Sequence, residues 1–142
     1  MQKKLMLILG PNLNMVGTRE KGVYGSVSAE DINKEVTNYA NNNGCSIEIY
    51  QSNHEGEIID KIHSSIDKFD GIIINAGALT HYSYALRDAI SSIETPFIEV
   101  HMSNVHKREE FRHKSVITAV CTGVIAGFGK DVYKLAIQSF LM

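Results

Sequence analysis

The sequence lacks a long apolar run, has almost no cysteine, and carries no excess of either charge. No stretch of about 18 apolar residues occurs, so it offers no candidate for a membrane-spanning helix. Cys45 and Cys121 are the only cysteines, too few for a disulfide framework, and a small buried thiol in a reducing cytoplasm is the expectation for both. Fourteen Lys and Arg stand against 16 Asp and Glu, for a net charge of −2 with both signs scattered. Neither nucleic acid nor an anionic membrane is therefore expected as a partner. Internal repeats, low-complexity segments, CxxC, HExxH, GxSxG and a Walker lysine are all missing, which disfavours a structural zinc site, an α/β-hydrolase and a P-loop enzyme. Lys3 and Lys4 precede an apolar run at 5–9. That run is short and ends in Gly10, Pro11 and Asn12, so it reads as a buried strand in a soluble, unprocessed chain.

What is present suits one domain over residues 1–142: 44% of residues are hydrophobic and 21% charged. Strand-length apolar runs at 5–9, 72–74, 97–100 and about 117–126 alternate with segments of helical period. Ile32, Val36, Tyr39 and Ala40 share one helical face, and Ile58, Ile59, Ile62, Ile66 and Phe69 another. Ala85, Leu86, Ala89, Ile90 and Ile93 form a third, and Val132, Leu135, Ala136 and Phe140 a fourth. Ser28 followed by Asp31 marks the start of the first helix. A β-α unit repeated about five times implies a parallel sheet with helices on both faces. Residues 46–50 alternate polar with apolar, as a half-covered edge strand does. The expected architecture is an α/β, flavodoxin-like three-layer sandwich with five parallel strands in the order 2-1-3-4-5.

Ligands of such sheets sit beyond the carboxyl ends of the strands. There the sequence places Asn12 and Asn14, then Ser52 to Glu55, then Asn75, Thr80 and His81, and lastly Glu99, His101, Ser103 and Asn104. Arg108 and Arg112 follow, spaced as one helical turn. Singly, each has a plain explanation: Asn beside Gly or Pro is turn chemistry, and a strand-end histidine is more often a satisfied surface group than a catalyst. Their convergence favours a site. Glu99 and His101 are two apart, so on a strand they share a face, where a carboxylate can fix an imidazole's tautomer and favour its protonated form. That is the equipment of a general acid. His101, His106 and His113 lack metal-site spacing, and the glycines at 127 and 129 begin but do not complete a dinucleotide fingerprint.

The link at 10–27 is long for a strand-to-helix connection, which suggests a lid hinged at Gly17, Gly22 and Gly25. It carries Arg19 and Tyr24. An ordinary phenol, with a pKa near 10, is about 0.1% ionised at pH 7, a deficit of about 4 kcal/mol. A guanidinium at about 4 Å in a partly dry site offsets a similar amount. A mobile, activated tyrosine is the expectation, with a surface tyrosine that packs the closed loop as the plain alternative.

The segments GPNLN (10–14), GTRE (17–20) with Tyr24-Gly25, SNHEG (52–56), NAGA (75–78) through Thr80-His81, and EVHMSN (99–104) followed by REEFR (108–112) resemble type II 3-dehydroquinate dehydratase. The match runs over about 5–129. Ala76 and Lys21 stand where that family usually has proline, which bears on loop stiffness. The resemblance implies reversible, cofactor-free dehydration of 3-dehydroquinate to 3-dehydroshikimate through an enolate, in the shikimate pathway. It implies Tyr24 as base, Arg19 as stabiliser of the phenolate and the developing charge, His101 as acid oriented by Glu99, and Asn12 positioning a water at the enolate oxygen. Asn75 and the amides of Met102 and Ser103 would hold the substrate carboxylate, His81 and Arg112 the ring hydroxyls, and Arg108 the lid tyrosine. Asp88 would reach a neighbouring subunit's site in a dodecamer built from trimers. No lysine ends an apolar strand, which disfavours an imine route. A flavodoxin-like mononucleotide-binding module is the alternative, and an inactive assembly scaffold a third.

Overall fold

The computed structural model describes residues 2–17 and 27–142. Its elements run β1 (Lys3–Leu9), α1 (Ala29–Asn42), β2 (Cys45–Gln51), α2 (Glu55–Ser64), β3 (Gly71–Asn75), α3 (Tyr84–Ser91), β4 (Phe97–His101), β5 (Gly123–Ala126) and α4 (Asp131–Leu141). The five strands are ordered β2-β1-β3-β4-β5, as the sequence implies, and every neighbouring pair is parallel.

The strand period of two divides the core. Leu5, Leu7, Leu9, Ile73, Ile98 and Val100 face α1 and α4. Met6, Ile8, Ile72, Ile74 and Phe97 face α2 and α3. Each helix answers with its apolar stripe: Ile32, Val36 and Ala40 from α1, Ile58 and Ile62 from α2, Leu86, Ala89 and Ile90 from α3, and Val132, Ala136 and Ile137 from α4. Each large side chain so buried contributes about 2 kcal/mol relative to exposure. The Ser28 hydroxyl accepts the Asp31 N–H at 3.1 Å, capping α1 as expected. The same parity decides the site. On β4, Glu99 and His101 follow Phe97 onto the α2–α3 side, whereas Asn75 follows Ile73 onto the side of α4.

Several expectations give way. Ile66 and Phe69 lie beyond the end of α2, with Ile66 exposed, and Leu135 of α4 is exposed, so these two apolar stripes are narrower than the sequence suggests. Residues 117–126 are not one strand: β5 begins only at Gly123, and Thr118–Val120 form a 3₁₀ turn. The Ser115 hydroxyl accepts the N–H groups of Ile117 and Thr118 at 3.2 and 3.1 Å, bending the chain so that Ile117 drops into the α2–α3 core. The regular alternation also lapses between β4 and β5, where 3₁₀ turns at Val105–Lys107 and Glu110–Arg112 replace an α-helix. Arg108 closes the first turn in an extended conformation, so it and Arg112 do not share a helix. No helix among the described residues is long and apolar enough to cross a membrane.

Candidate active site

The loops after β1 and β3 touch because glycine allows it. A Cβ on Gly10 would lie 2.5 Å from the Ala76 carbonyl oxygen, and the Gly10 N–H donates to the Asn75 carbonyl at 2.8 Å. Gly77 takes φ +60°, and a Cβ there would sit 3.0 Å from the Pro11 carbonyl oxygen. Ala76 has φ −80°, within the range a proline ring would impose, so the departure from the family's proline leaves this turn's shape in place. Asn12 sits in the left-handed region at φ 71°, which asparagine tolerates, so the turn-chemistry reading of this residue holds together with a place in the cleft. Its N–H donates to Asn53 Oδ1 at 3.0 Å, and Gln51 Nε2 braces both Asn53 Oδ1 at 3.0 Å and the Gly10 carbonyl at 3.2 Å.

Asn75 is 4% exposed, and its amide is fixed at both ends. Nδ2 donates to the Tyr133 hydroxyl at 3.0 Å, and Oδ1 accepts the Gly77 N–H at 3.2 Å. One N–H of the amide is left for the cleft that Asn75 lines. Tyr133, buried on α4, has no counterpart in the sequence reading, because an aromatic residue in a helical core stripe gives no sign of where its hydroxyl ends. Tyr133→Phe frees the amide to turn, and the expected result is a rise of about tenfold in KM with kcat changed less, measured by steady-state kinetics.

Across the cleft, His81 Nδ1 donates to the Lys114 carbonyl at 2.8 Å, since a carbonyl can only accept. Burial, aided by the charges of His101 and Arg112, lowers the His81 pKa below its ordinary 6.5, so near neutral pH Nε2 is an acceptor suited to a hydroxyl.

Glu99 and His101 do share a face. His101 Nε2 donates to Glu99 Oε2 at 2.5 Å, with Glu99 only 1% exposed. The Thr118 hydroxyl donates to the other carboxylate oxygen, Oε1. Burial pushes the Glu99 pKa up, but hydrogen bonds from His101, Thr118 and Ser115 together with the His101 charge outweigh it, and the net position is below the ordinary 4.5. The carboxylate is ionised at neutral pH, and the ring's other nitrogen, Nδ1, is the one left to address the cleft. Cys121 nearby is pushed up to about 12 by burial and by Glu99, so its thiol stays protonated and is no nucleophile.

The cleft of about 100 Å³ brings together Asn12, Asn75, His81, His101, Met102, Ser103, Arg108 and Arg112. Arg112 stacks on Phe111 at 4.8 Å and pairs with Glu109 at 3.0 Å, while Arg108 Nη1 donates to Ser103 Oγ at 3.4 Å. Glu99 lies behind His101. Asp88 is exposed on α3 and does not line this cleft. The polar residues after β2 serve mainly to hold the fold: Ser52 donates to Glu57 at 2.5 Å, His54 is the residue at the start of α2, and Glu55 accepts the Ser83 hydroxyl. Arg19, Lys21 and Tyr24 lie outside the described residues. A roomier hollow of about 770 Å³ between α1 and β2 holds, among the described residues, only Glu30 and Lys34 as charged groups, and they pair with each other at 3.4 Å. Size alone therefore does not mark the site. No group of three or more His, Cys, Asp or Glu side chains that could hold a metal ion occurs among the described residues.

The chain is similar to known proteins over nearly its whole length. A protein of Caldicellulosiruptor bescii named 3-dehydroquinate dehydratase is 59% identical over 138 residues, covering 96% of this chain and 95% of its own length. One of Bacillus mycoides with the same name is 55% identical over 139 residues, covering 98% of this chain and 95% of its own. The crystal structure of a type II dehydroquinase from Butyrivibrio crossotus superposes with a TM-score of 0.97 at 48% identity, covering 99% of each chain. The family model described as Dehydroquinase class II matches residues 3–141, and the chain belongs to the class II dehydroquinase family.

Proposed function

We propose that this chain, acting as one catalytic domain, is a hydro-lyase of the shikimate pathway that dehydrates 3-dehydroquinate reversibly to 3-dehydroshikimate. The observation that carries the reading is the buried Glu99–His101 pair opening on the cleft of Asn75, His81 and Arg112, in a chain of this family. Elimination of water beta to a ketone needs a base for the alpha proton, a stabiliser for the enolate oxygen and an acid for the departing hydroxyl. Tyr24, kept as phenolate by Arg19, takes the proton and leaves its electron pair as the enolate. Asn12 orients a water against that oxygen. As the enolate collapses to the enone, His101 protonates the departing hydroxyl, and water leaves. The single cleft-facing N–H of Asn75, with the amides of Met102 and Ser103, holds the substrate carboxylate. His81 and Arg112 take the ring hydroxyls, and Arg108 positions Tyr24.

Assembly into a dodecamer of trimers would bring Asp88 of one copy to the cleft of the next, an arrangement compatible with its exposed place on α3 and tested by the mass of the assembly in solution. Purified protein mixed with 3-dehydroquinate is expected to generate conjugated-enone absorbance, and borohydride added during turnover is expected to trap no adduct. Absence of enone overturns the substrate, and a trapped imine overturns the mechanism.

A further inference from the structure

Glu99 is buried at the end of β4, where an ionised carboxylate survives only if donors replace the water it has lost. Only one of those donors comes from the catalytic cleft. His101 occupies Oε2, and Oε1 is taken by the Thr118 hydroxyl, from a 3₁₀ turn 19 residues further along the chain. That turn is itself built by Ser115, whose hydroxyl oxygen accepts two successive backbone N–H groups and whose hydroxyl also interacts with Glu99. The turn is tied to the His81 loop as well, through Val116 N–H donating to the Thr80 carbonyl at 2.8 Å.

We infer that Thr118 is a positioning residue of the reaction: its hydroxyl, on the turn organised by Ser115, fixes the Glu99 carboxylate and so fixes the His101 ring that faces the cleft. A carboxylate that loses its Thr118 donor at Oε1 is freer to rotate about its terminal bond, and the imidazole hydrogen-bonded to it would follow. Held at both, it presents one oxygen to Nε2 and leaves Nδ1 directed away from the pair. The inference deepens the dehydration reading and rests on it.

Thr118→Val keeps the shape of the side chain and removes the donor; Thr118→Ser keeps the donor and removes the methyl. With one donor gone, Glu99 is more basic and holds the proton it shares with His101 more tightly. Among the described residues, the groups facing the pair are His81 from the loop after β3, His106, Arg108, Arg112, His113 and Lys114 from the β4–β5 connection, and Cys121 ahead of β5. Cys121 stays protonated through the working range, and Thr118→Val removes none of these charges.

The profile of kcat/KM against pH is therefore expected to move to higher pH by about one unit in Thr118→Val, with kcat at the original optimum down about tenfold and KM little changed. Thr118→Ser is expected to keep the parent profile. A Thr118→Val profile whose limbs coincide with the parent's, or a Thr118→Ser variant impaired as badly as Thr118→Val, overturns the inference. Should Thr118→Val not fold, displacement of the Thr118→Ser profile by as much as one unit would overturn it, and coincidence with the parent would support it. Failure of the parent protein to make enone, in contrast, would overturn the dehydration reading beneath it.

Discussion

Tyr24→Phe is expected to lower kcat by about 10³–10⁴-fold, the upper part of what general acid–base catalysis supplies, while circular dichroism and the thermal midpoint stay those of the parent. The change removes one oxygen. What it removes chemically is the only group in the proposed scheme that can take a proton from carbon, and phenylalanine offers no lone pair in its place. The size of the loss follows from the cost of making that base. About 4 kcal/mol separates an ordinary phenol from its phenolate at pH 7, and the scheme has Arg19 offset that amount. Without the hydroxyl the offset has nothing to act on, and Arg19 is left stabilising only the enolate. KM is expected to change little, because the proposed scheme assigns the carboxylate and ring hydroxyls to Asn75, His81 and Arg112, which Tyr24 does not position. A residual kcat within tenfold of the parent, at any pH between 6 and 9, removes Tyr24 as the base.

How much of this was legible from sequence depends on where each signal resides. Sheet order follows from local pattern: the continuous apolar runs of β1 and β3 belong to strands covered on both faces, and the alternation of β2 to an edge. Glu99 and His101 were equally legible, because the two-residue spacing that puts them on one face is a property of any strand. Residues 117–126 were not. Their apolar character is real, but Ile117 serves the α2–α3 core and not the sheet, and the device that bends the chain is one serine hydroxyl accepting two N–H groups. Hydrophobicity does not register such a bond. For the same reason Thr118 was read as part of a strand, and its contact with Glu99, between residues distant in the chain, could not be anticipated. Tyr133 is similar. Its ring obeys the helical stripe of α4, and only the fold brings its hydroxyl to Asn75, 58 residues away. Polar residues at strand ends, Glu99 among them, thus announced themselves, whereas Thr118 and Tyr133, which brace Glu99 and Asn75, were concealed within apolar segments.

His101→Ala carries the second large effect, and it separates two roles the pair could have. As a general acid, His101 turns a hydroxide leaving group into water, and its loss is expected to lower kcat by about 10²–10⁴-fold with smaller change in KM. As part of the fold, it is one of the donors that keep Glu99 ionised, and removing it leaves a buried carboxylate short of a partner, at a cost of about 1–3 kcal/mol. The pH dependence distinguishes this second effect. In the parent, burial raises the Glu99 pKa, and the His101, Thr118 and Ser115 hydrogen bonds more than reverse the rise, to a value below 4.5. A carboxyl depressed in the folded state contributes stability that is present above its unfolded pKa and is lost as pH falls through its folded one. With His101 gone the depression shrinks or reverses, so acid unfolding followed by circular dichroism is expected to begin at higher pH than in the parent. If kcat collapses while the acid transition stays in place, His101 acts on the substrate without supporting Glu99. If the transition moves and kcat does not fall, the pair serves the fold, and the acid must be sought among the other groups that line the cleft.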